Sequence, residues 1–205
     1  MNVQIDSHLT INKFVYYKGL ILETLNISMA IFALSNTKPS IDTSSWIDES
    51  ATIIGDVTIE ANVNIWPGAR LRGDESPITV GVGSNIQDNA VLHGDPGIPT
   101  VIGHDVTVGH SAILHSCTIG DGTLVGMGAI IMGQTVIGKE CLVAAGTLIA
   151  ERKIFRDGVL IIGSPGKIVR ELTQEERKNL TMSAHHYREQ KARYEKELQR
   201  IDRTH

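Results

Sequence analysis

Aromatic residues, cysteines and long apolar runs are all scarce in this chain of 205 residues. Phe, Trp and Tyr make up only 4% of it, which excludes a core built on large rings and favours a narrow one of Val, Ile and Leu. Two cysteines, Cys117 and Cys141, are too few for a disulfide framework. No apolar run approaches the roughly 20 residues that span a bilayer, so no membrane association is predicted.

Positive charge is not in excess either. Lys and Arg number 19 against 23 Asp and Glu, which gives a formal net charge of -4. Because nucleic-acid phosphates are bound by clustered Lys and Arg, no nucleic-acid partner is expected. The first 28 residues carry Lys13, Lys18 and Glu23 in their most apolar part, unlike a secretory signal peptide. We therefore expect a cytoplasmic protein.

The N-terminal residues do not share the pattern of the remaining chain, and we treat residues 1–35 as an extension of undetermined structure. Two interpretations of residues 1–28 stay open. Either Met29 is an alternative start and these residues are an appendage, or Phe14 to Leu22 form an added strand.

A six-residue repeat runs through the chain from about Ile41. Its positions are Ile53, Ile59, Ile65, Leu71, Val82, Asp88, Ile102, Val108, Leu114, Ile119, Val125, Ile131, Ile137 and Val143. A fixed short period is typical of a solenoid. Each unit predicts a short strand and a corner, and three units predict one triangular coil of a parallel β-helix over residues 36–168. We expect Ile53, Val108 and Ile137 in its core.

Glycine often follows the aliphatic position of the repeat, which indicates a corner that needs positive φ or a close backbone approach. The repeat is interrupted at residues 73–77 and by GDPGIPT at residues 94–100, where loops are predicted. Four large side chains depart from the aliphatic rule. We expect the two tryptophans on the outside of the coil or at a coil end and the two methionines in packing roles: Trp46, Trp66, Met127 and Met132.

A C-terminal helix is predicted to follow the coil, which should end near Ala150. Residues 151–168 are rich in charged and turn residues, and Thr173 with Glu176 forms a capping box. One apolar stripe follows at helical spacing, comprising Leu180, Ala184, Tyr187, Tyr194 and Leu198, and the opposite face carries Glu189, Arg193, Glu197 and Arg200. Residues 169–205 are therefore assigned to a helix that packs on the coil and runs to about Arg200.

Four of the eight histidines lie between residues 93 and 115 of the repeat, and three of them are candidate metal ligands. Three neutral imidazoles are the ligand set of an open catalytic zinc site, so His93, His110 and His115 predict a metal site. The remaining histidines near the coil and termini are interpreted as ordinary surface residues: His8, His104 and His205.

Spacing indicates how these three histidines could meet. His110 and His115 are separated by about 16 Å of extended chain, less where a corner intervenes, so one chain would struggle to aim both at one ion. His93 and His115 are separated by one coil plus the loop insertion, so they can lie on neighbouring rungs of one face. The third ligand would then come from another subunit.

Three segments together resemble the gamma-class carbonic anhydrase family, in particular its short-loop bacterial branch: RLRGDE (70–75), SNIQDNAVLH (84–93) and VGHSAILH (108–115). The resemblance covers about residues 36–195. It implies a left-handed parallel β-helix of triangular coils with a C-terminal helix, assembled as a homotrimer with metal sites between subunits. His93 and His115 would come from one subunit and His110 from its neighbour, around Zn2+ or alternatively Fe2+ or Co2+.

The RLRGDE segment supplies three candidate site residues by this resemblance. Arg72 and Asp74 match a pair that bridges subunits, with Arg72 placed to attract bicarbonate, and Glu75 matches a proposed proton acceptor. Two structural readings compete with these roles. The Arg72–Asp74 pair can be a purely structural contact, and Glu75 can be a solvated turn residue.

The remaining matches concern the substrate side of the site. Asn85 and Gln87 match residues that hold the metal-bound water and the substrate, although Gln87 can also simply cap a coil edge. Tyr187 resembles a helix tyrosine that overhangs the site.

The resemblance implies conversion of CO2 and water to bicarbonate through a metal-bound hydroxide. The long acidic loop of the founding members is replaced here by GDPGIPT, with Asp95 its only acid. Because fast turnover requires rapid proton removal, slow turnover is expected. The alternatives for a small-molecule substrate are a metal-dependent thioesterase or hydrolase and a hexapeptide acyltransferase with a catalytic histidine. A non-catalytic metal-binding protein is the other reading.

Overall fold

A computed structural model describes residues 15–17, 20–22 and 30–201. In the N-terminal part, the strands are β1 (Val15–Tyr17), β2 (Leu20–Leu22), β3 (Ala30–Phe32), β4 (Ser40–Ile41), β5 (Trp46–Ile47), β6 (Thr52–Ile59), β7 (Asn64–Ile65), β8 (Arg70–Val80), β9 (Asn85–Ile86), β10 (Val91–His93) and β11 (Thr100–Ile102). They are followed by β12 (Thr107–Val108), β13 (Ile113–His115), β14 (Thr118–Ile119), β15 (Leu124–Val125), β16 (Ile130–Ile131), β17 (Val136–Ile137), β18 (Leu142–Val143), β19 (Leu148–Ile149), β20 (Ile154–Phe155), β21 (Val159–Gly163), β22 (Gly166–Glu171) and helix α1 (Gln174–Glu197).

The strands form a parallel β-solenoid of about seven turns that matches a left-handed β-helix, which confirms the predicted fold class. Three flat faces enclose the core. The first face carries β10, β13, β16 and β19, the second carries β11, β14, β17 and β20, and the third runs from β5 through β7, β9, β12, β15, β18 and β21. The long strand β8 pairs with β10 and β11 and so joins the first two faces.

The interior is a dry column of aliphatic side chains. Ile53, Val108 and Ile137 are fully buried in it, as predicted. Gly126 serves a close approach between coils, since a Cβ there would lie 2.5 Å from the amide nitrogen of Ala145 in the next coil. A side chain at this corner would therefore push the next coil away.

The phase of the repeat was predicted wrongly at two positions. Val82 is exposed and Asp88 is half-buried, while Val80 and Ile86 fill the core instead. The cause is the insertion in β8, where the register moves from Gly55 opposite Gly73 to Val57 opposite Ile78. The predicted break at residues 73–77 is thus confirmed as a bulge, and it shifts the pattern that follows.

The ladder also continues past Ala150, where the sequence pattern indicated its end. β20 pairs in parallel with β17, and β21 pairs in parallel with β18. β22 then turns back antiparallel on β21. The apolar run VLII (159–162), in which Val159 and Ile161 are buried, is the signal for this last coil, and the charged neighbours obscured it.

Helix α1 packs on the third face over β7, β9 and β12. The predicted capping box is present, since the Thr173 hydroxyl accepts from the Glu176 amide and the Glu176 carboxylate accepts from the Thr173 amide. The helix ends at Glu197, three residues before the predicted end, and Leu198 is exposed beyond it. Across the described ranges 15–17, 20–22 and 30–201, no helix has the length and apolar character to cross a membrane.

An aromatic cluster joins the helix to the coil. Trp66 lies outside the aliphatic column, as predicted, and its ring centroid is 5.1 Å from Trp46, 5.3 Å from Tyr187 and 4.9 Å from Tyr194. Its indole nitrogen donates to the Asn64 side chain. These rings therefore join Tyr187 and Tyr194 of the apolar helix stripe to the coil, while Leu198 of the stripe stays exposed.

The structure also bears on the expectations for the two methionines and for the N-terminal residues. Met127 and Met132 are exposed in the single chain, so the predicted packing role is wrong within one subunit. At the N-terminus, β1 and β2 form an antiparallel pair, and the rest of residues 1–29 lies outside the described residues.

Candidate metal centre

His93 and His115 lie side by side on neighbouring rungs of the first face. β10 and β13 pair with His93 directly opposite His115. Their side chains point outward because the intervening Leu92 and Leu114 fill the core. Nδ1 of His93 is 3.2 Å from Nε2 of His115. The predicted placement of these two residues is confirmed.

This spacing fits a shared metal ion. Two nitrogens bound to one zinc at about 2.1 Å lie under about 4 Å from each other. The two imidazole nitrogens meet that requirement without rearrangement, and imidazole is a ligand for Zn2+, Fe2+ and Co2+ alike.

The other ring nitrogen of each histidine faces a carboxylate. Nε2 of His93 is 3.0 Å from Oδ1 of Asp74, and Nδ1 of His115 is 3.6 Å from Oδ2 of Asp95. Histidines that bind metals commonly donate their second N–H to a carboxylate, which fixes the tautomer and the ring orientation. The Asp74–His93 contact has that geometry, whereas Asp95 lies just beyond hydrogen-bond distance of His115.

His110 occupies a separate place, at the corner that follows β12. Its Nδ1 is 2.7 Å from Oδ2 of Asp88, and its Nε2 is 3.4 Å from the hydroxyl of Tyr187. Among the residues that the structure describes, no group of three metal-ligating side chains comes together in one chain. One subunit thus assembles two of the three predicted ligands.

Asp88 is a histidine partner that sequence reasoning missed. It precedes His110 by 22 residues, the same offset that separates His93 from His115. That shared offset of one coil plus the loop insertion was the available signal. Because Asp88 was assigned to an aliphatic position of the repeat, its relation to His110 was not recognised.

Arg72 and Asp74 form an ion pair within a single chain, on the bulge of β8. Desolvation raises the pKa of the Asp74 carboxyl, but hydrogen bonds with Arg72 and His93 outweigh it and hold that pKa below its usual value. Asp74 is therefore a carboxylate at neutral pH that contacts both residues. Glu75 is exposed next to it.

Asn85 and Gln87 are buried on the third face and belong to one hydrogen-bond chain. The Gln87 amide nitrogen donates to Oδ1 of Asn85 at 3.0 Å, and Oε1 of Gln87 accepts the backbone N–H of His110 at 3.2 Å. Nδ2 of Asn85 donates to the Thr107 hydroxyl, which contacts Ser183 of the helix. This chain fixes the corner that carries His110.

Tyr187 overhangs His110 from the helix. Burial raises the pKa of its phenol, and the negative charge of Asp88 adds to the effect. The hydroxyl therefore stays protonated at neutral pH and can donate a hydrogen bond. Of the predicted site residues on the third face, Tyr187, Gln87 and His110 are brought together in one chain.

A cleft of about 450 Å³ opens beside His110, between the helix and the third face. Its floor is made of small residues, including Gly109, Gly126 and Ala144, and its walls include Leu124 and Leu142. The cleft is thus a mostly apolar pocket with His110 and Tyr187 in its lining.

Comparison with known proteins agrees with this architecture. Residues 116–151 match the family model described as bacterial transferase hexapeptide (six repeats). The chain is 40% identical to the protein YrdA of Escherichia coli (strain K12) over 163 residues, which cover 76% of this chain and 89% of YrdA. It is 39% identical to the mitochondrial gamma carbonic anhydrase 2 of Arabidopsis thaliana over 171 residues, 80% of this chain.

A solved structure shows the same fold. The crystal structure of a hexapeptide transferase family protein from Anaplasma phagocytophilum has 44% sequence identity and a TM-score of 0.78, covering 80% of this chain and 98% of that one. The chain belongs to the hexapeptide-repeat family of gamma carbonic anhydrase-like proteins. It spans only 62% of the length of the plant relative.

Proposed function

We propose that this chain is the subunit of a metal-dependent, gamma carbonic anhydrase-like enzyme that hydrates CO2 to bicarbonate. The observation that carries the proposal is the pair of imidazole nitrogens of His93 and His115, 3.2 Å apart and each backed by a carboxylate. The likeness to a plant gamma carbonic anhydrase supports the same reaction class. What a bound Zn2+, Fe2+ or Co2+ would supply is activation of water at near-neutral pH.

We further propose that the third ligand, His110, is supplied by a neighbouring subunit of a homotrimer. His110 lies on a different part of the coil from His93 and His115, so a second copy is needed to complete the set. The first face exposes apolar side chains beside His115, namely Ile113, Ile130 and Met132. Packing of a second copy there would cover them, and a cyclic trimer repeats the same head-to-tail contact three times.

The residues around the histidines would bind substrate and move protons. The guanidinium of Arg72 is half-exposed and paired with Asp74, the carboxylate that contacts His93, and there it can attract bicarbonate. Glu75, exposed next to it, would accept a proton. Across the subunit boundary, Asn85 and Gln87 would hold the His110 corner and orient the substrate, and the protonated Tyr187 would donate to a substrate oxygen.

Acyl hydrolysis or transfer is a second candidate, and the apolar cleft beside His110 favours it. CO2 has three heavy atoms and does not need a channel of about 450 Å³. An acyl chain would lie along Gly126 and Ala144, against Leu124 and Leu142, with its carbonyl near His110. The name of the Anaplasma relative, hexapeptide transferase family protein, agrees with this class.

Metal analysis combined with two assays separates these candidates. Anaerobically purified protein is measured for divalent metal, for stopped-flow CO2 hydration and for hydrolysis of short thioesters. We expect about one ion per chain and CO2 hydration that is lost in His115→Ala and kept in the control His104→Ala, whose exposed ring lies at another corner. Thioester hydrolysis alone would favour the second candidate. Full metal with neither activity would indicate a metal-binding protein without catalysis.

A further inference from the structure

The short loop of residues 94–100 is tied to the rung below it by side-chain hydrogen bonds. The backbone N–H of Asp95 donates to the Ser116 hydroxyl at 2.7 Å, and that hydroxyl is 3.3 Å from Oδ2 of Asp95. At the other end of the loop, the Thr100 hydroxyl donates to the His93 carbonyl at 2.6 Å and accepts the Ser116 N–H at 3.0 Å. The loop is therefore anchored at both ends beside the two histidines.

Ser116 is well suited to act as the anchor. It directly follows His115, is 1% exposed and takes a left-handed φ of 49°. Its backbone N–H also donates to the His93 carbonyl at 3.0 Å. The corner after His115 and the start of the loop after His93 are thus locked to each other, which fixes where the Asp95 side chain can lie.

The Asp95 carboxylate lies near one nitrogen of the His115 ring. Oδ2 of Asp95 lies 3.6 Å from Nδ1 of His115, while Nε2 on the other side of the ring faces His93 at 3.2 Å. A carboxylate near Nδ1 favours the tautomer that carries its proton there and leaves the lone pair of Nε2 directed towards His93. It opposes the other tautomer, in which Nε2–H of His115 donates to Nδ1 of His93, whose own Nε2 faces Asp74 at 3.0 Å.

We propose that Asp95, held in place by Ser116, is a positioning residue that selects Nε2 of His115 as the ligating nitrogen. The inference rests on the proposed metal site and adds a function for the short loop. Asp95 acts through His115 and needs no contact with substrate. In this role the short loop would orient a metal-ligating histidine, and the role does not depend on which group transfers protons.

The first arm of the test measures metal affinity on the full-length protein. Zn2+ and Co2+ are titrated in competition with a chromophoric chelator, for the wild type and for Asp95→Ala, Asp95→Asn and Ser116→Ala. Removing the carboxylate partner of a ligating histidine typically weakens metal binding about 10- to 100-fold. We expect that loss in Asp95→Ala and smaller losses in the other two variants.

A matched control removes another corner aspartate. Oδ1 of Asp157 accepts the Lys139 N–H, as part of the charged corner of the second and third faces. Asp157→Ala should keep wild-type affinity. Melting temperatures of all variants show whether the coil is intact.

The second arm needs no metal. Protein labelled with 15N-histidine is stripped of metal and its long-range 1H–15N spectrum is recorded at a pH where the ring is neutral, with His115 assigned from His115→Gln. Asp95 should raise the share of the Nδ1–H tautomer of His115 in the wild type, in competition with donation from Nε2 of His115 to His93. Asp95→Ala should lower that share, whereas Asp157→Ala should not.

The two arms separate failure of this inference from failure of the proposed function. Unchanged affinity and an unchanged His115 tautomer in Asp95→Ala would overturn the role of Asp95 while leaving the metal site standing. A wild-type protein that binds neither Zn2+ nor Co2+ would reject the proposed function, and the metal-free spectra would then still decide whether Asp95 orients His115.

Discussion

The carboxylate of Asp88 lies 2.7 Å from Nδ1 of His110, on the opposite side of the ring from Nε2, which contacts the Tyr187 hydroxyl. Replacement of Asp88 by Ala should therefore weaken metal binding by about 10- to 100-fold, because the ring loses the partner that orients it. Chelator competition measures the change. Asp42→Ala, which removes an exposed aspartate bound to Ser44, is the control. Equal affinities in both variants would show that His110 needs no such support.

Sharing of the site between subunits predicts a complementation pattern. Neither His93→Ala nor His110→Ala homotrimers should bind metal well. When the two variants are unfolded together and refolded in equal amounts, roughly a quarter of the interfaces should combine intact ligands, by counting arrangements on a cyclic trimer. Metal analysis checks this fraction. A mixture that stays empty after proven subunit exchange would contradict a ligand supplied in trans.

The aromatic cluster under the helix predicts a large loss of stability when one of its side chains is replaced by alanine. Trp66 is 5% exposed and touches three other rings, so Trp66→Ala should lower the free energy of unfolding by about 3 kcal/mol or more. Met182→Ala, at an exposed helix position, should change it little. Denaturant unfolding at one fixed protein concentration compares them. Similar losses in both would show that the cluster does not hold the helix.

Proton release is expected to limit CO2 hydration, since the short loop offers Asp95 alone in place of an acidic stretch. Small buffers such as imidazole should then raise kcat and leave kcat/KM nearly unchanged. Stopped-flow assays at increasing buffer concentration, with ionic strength held constant, test this. High turnover that ignores the buffer would assign proton transfer to a group in the protein, with Glu75→Gln as the next variant to measure.

The capping box predicts a dependence of stability on acid. Hydrogen bonds from Arg170 and the Thr173 amide lower the pKa of Glu176 to about 2 from an ordinary value of 4.5. Because the folded pKa is the lower one, the stabilisation is present above about pH 4.5 and is lost as pH falls towards 2. Glu176→Gln should therefore reduce the fall in melting temperature over that window. A parallel fall in both proteins would assign the acid sensitivity to other carboxylates.

The repeat made the architecture predictable, because an inward-facing aliphatic residue at every sixth position is compatible with few other folds. It also placed His93 opposite His115, since a whole coil returns the chain to the same face. The phase of Asp88 could not be predicted, because the length of the bulge at residues 73–77 sets it and a bulge leaves no periodic signal. The last coil before Gly163 was hidden for a similar reason: charged corner residues outnumber its few inward side chains.

The site itself was predictable only as a set of histidines. Their carboxylate partners depend on side-chain positions across rungs, which the period does not specify. Asp88 could have been found from its 22-residue offset to His110, but the contact of Asp95 with His115 depends on how a seven-residue loop folds back onto Ser116. The Arg72, Asn85, Gln87 and Tyr187 assignments came from resemblance, and their roles stay predictions.

The antiparallel strand β22 has a consequence for the solubility of the coil. A parallel ladder would otherwise finish on a row of free N–H and C=O groups, an open edge that could recruit another chain and grow into a filament. β22 doubles back on β21 and presents GKIVRE, with Lys167, Arg170 and Glu171 exposed along the new margin. Charged margins of this kind oppose strand addition. On this face, β22 therefore covers the open edge of the sheet and prevents the addition of another chain before the helix begins.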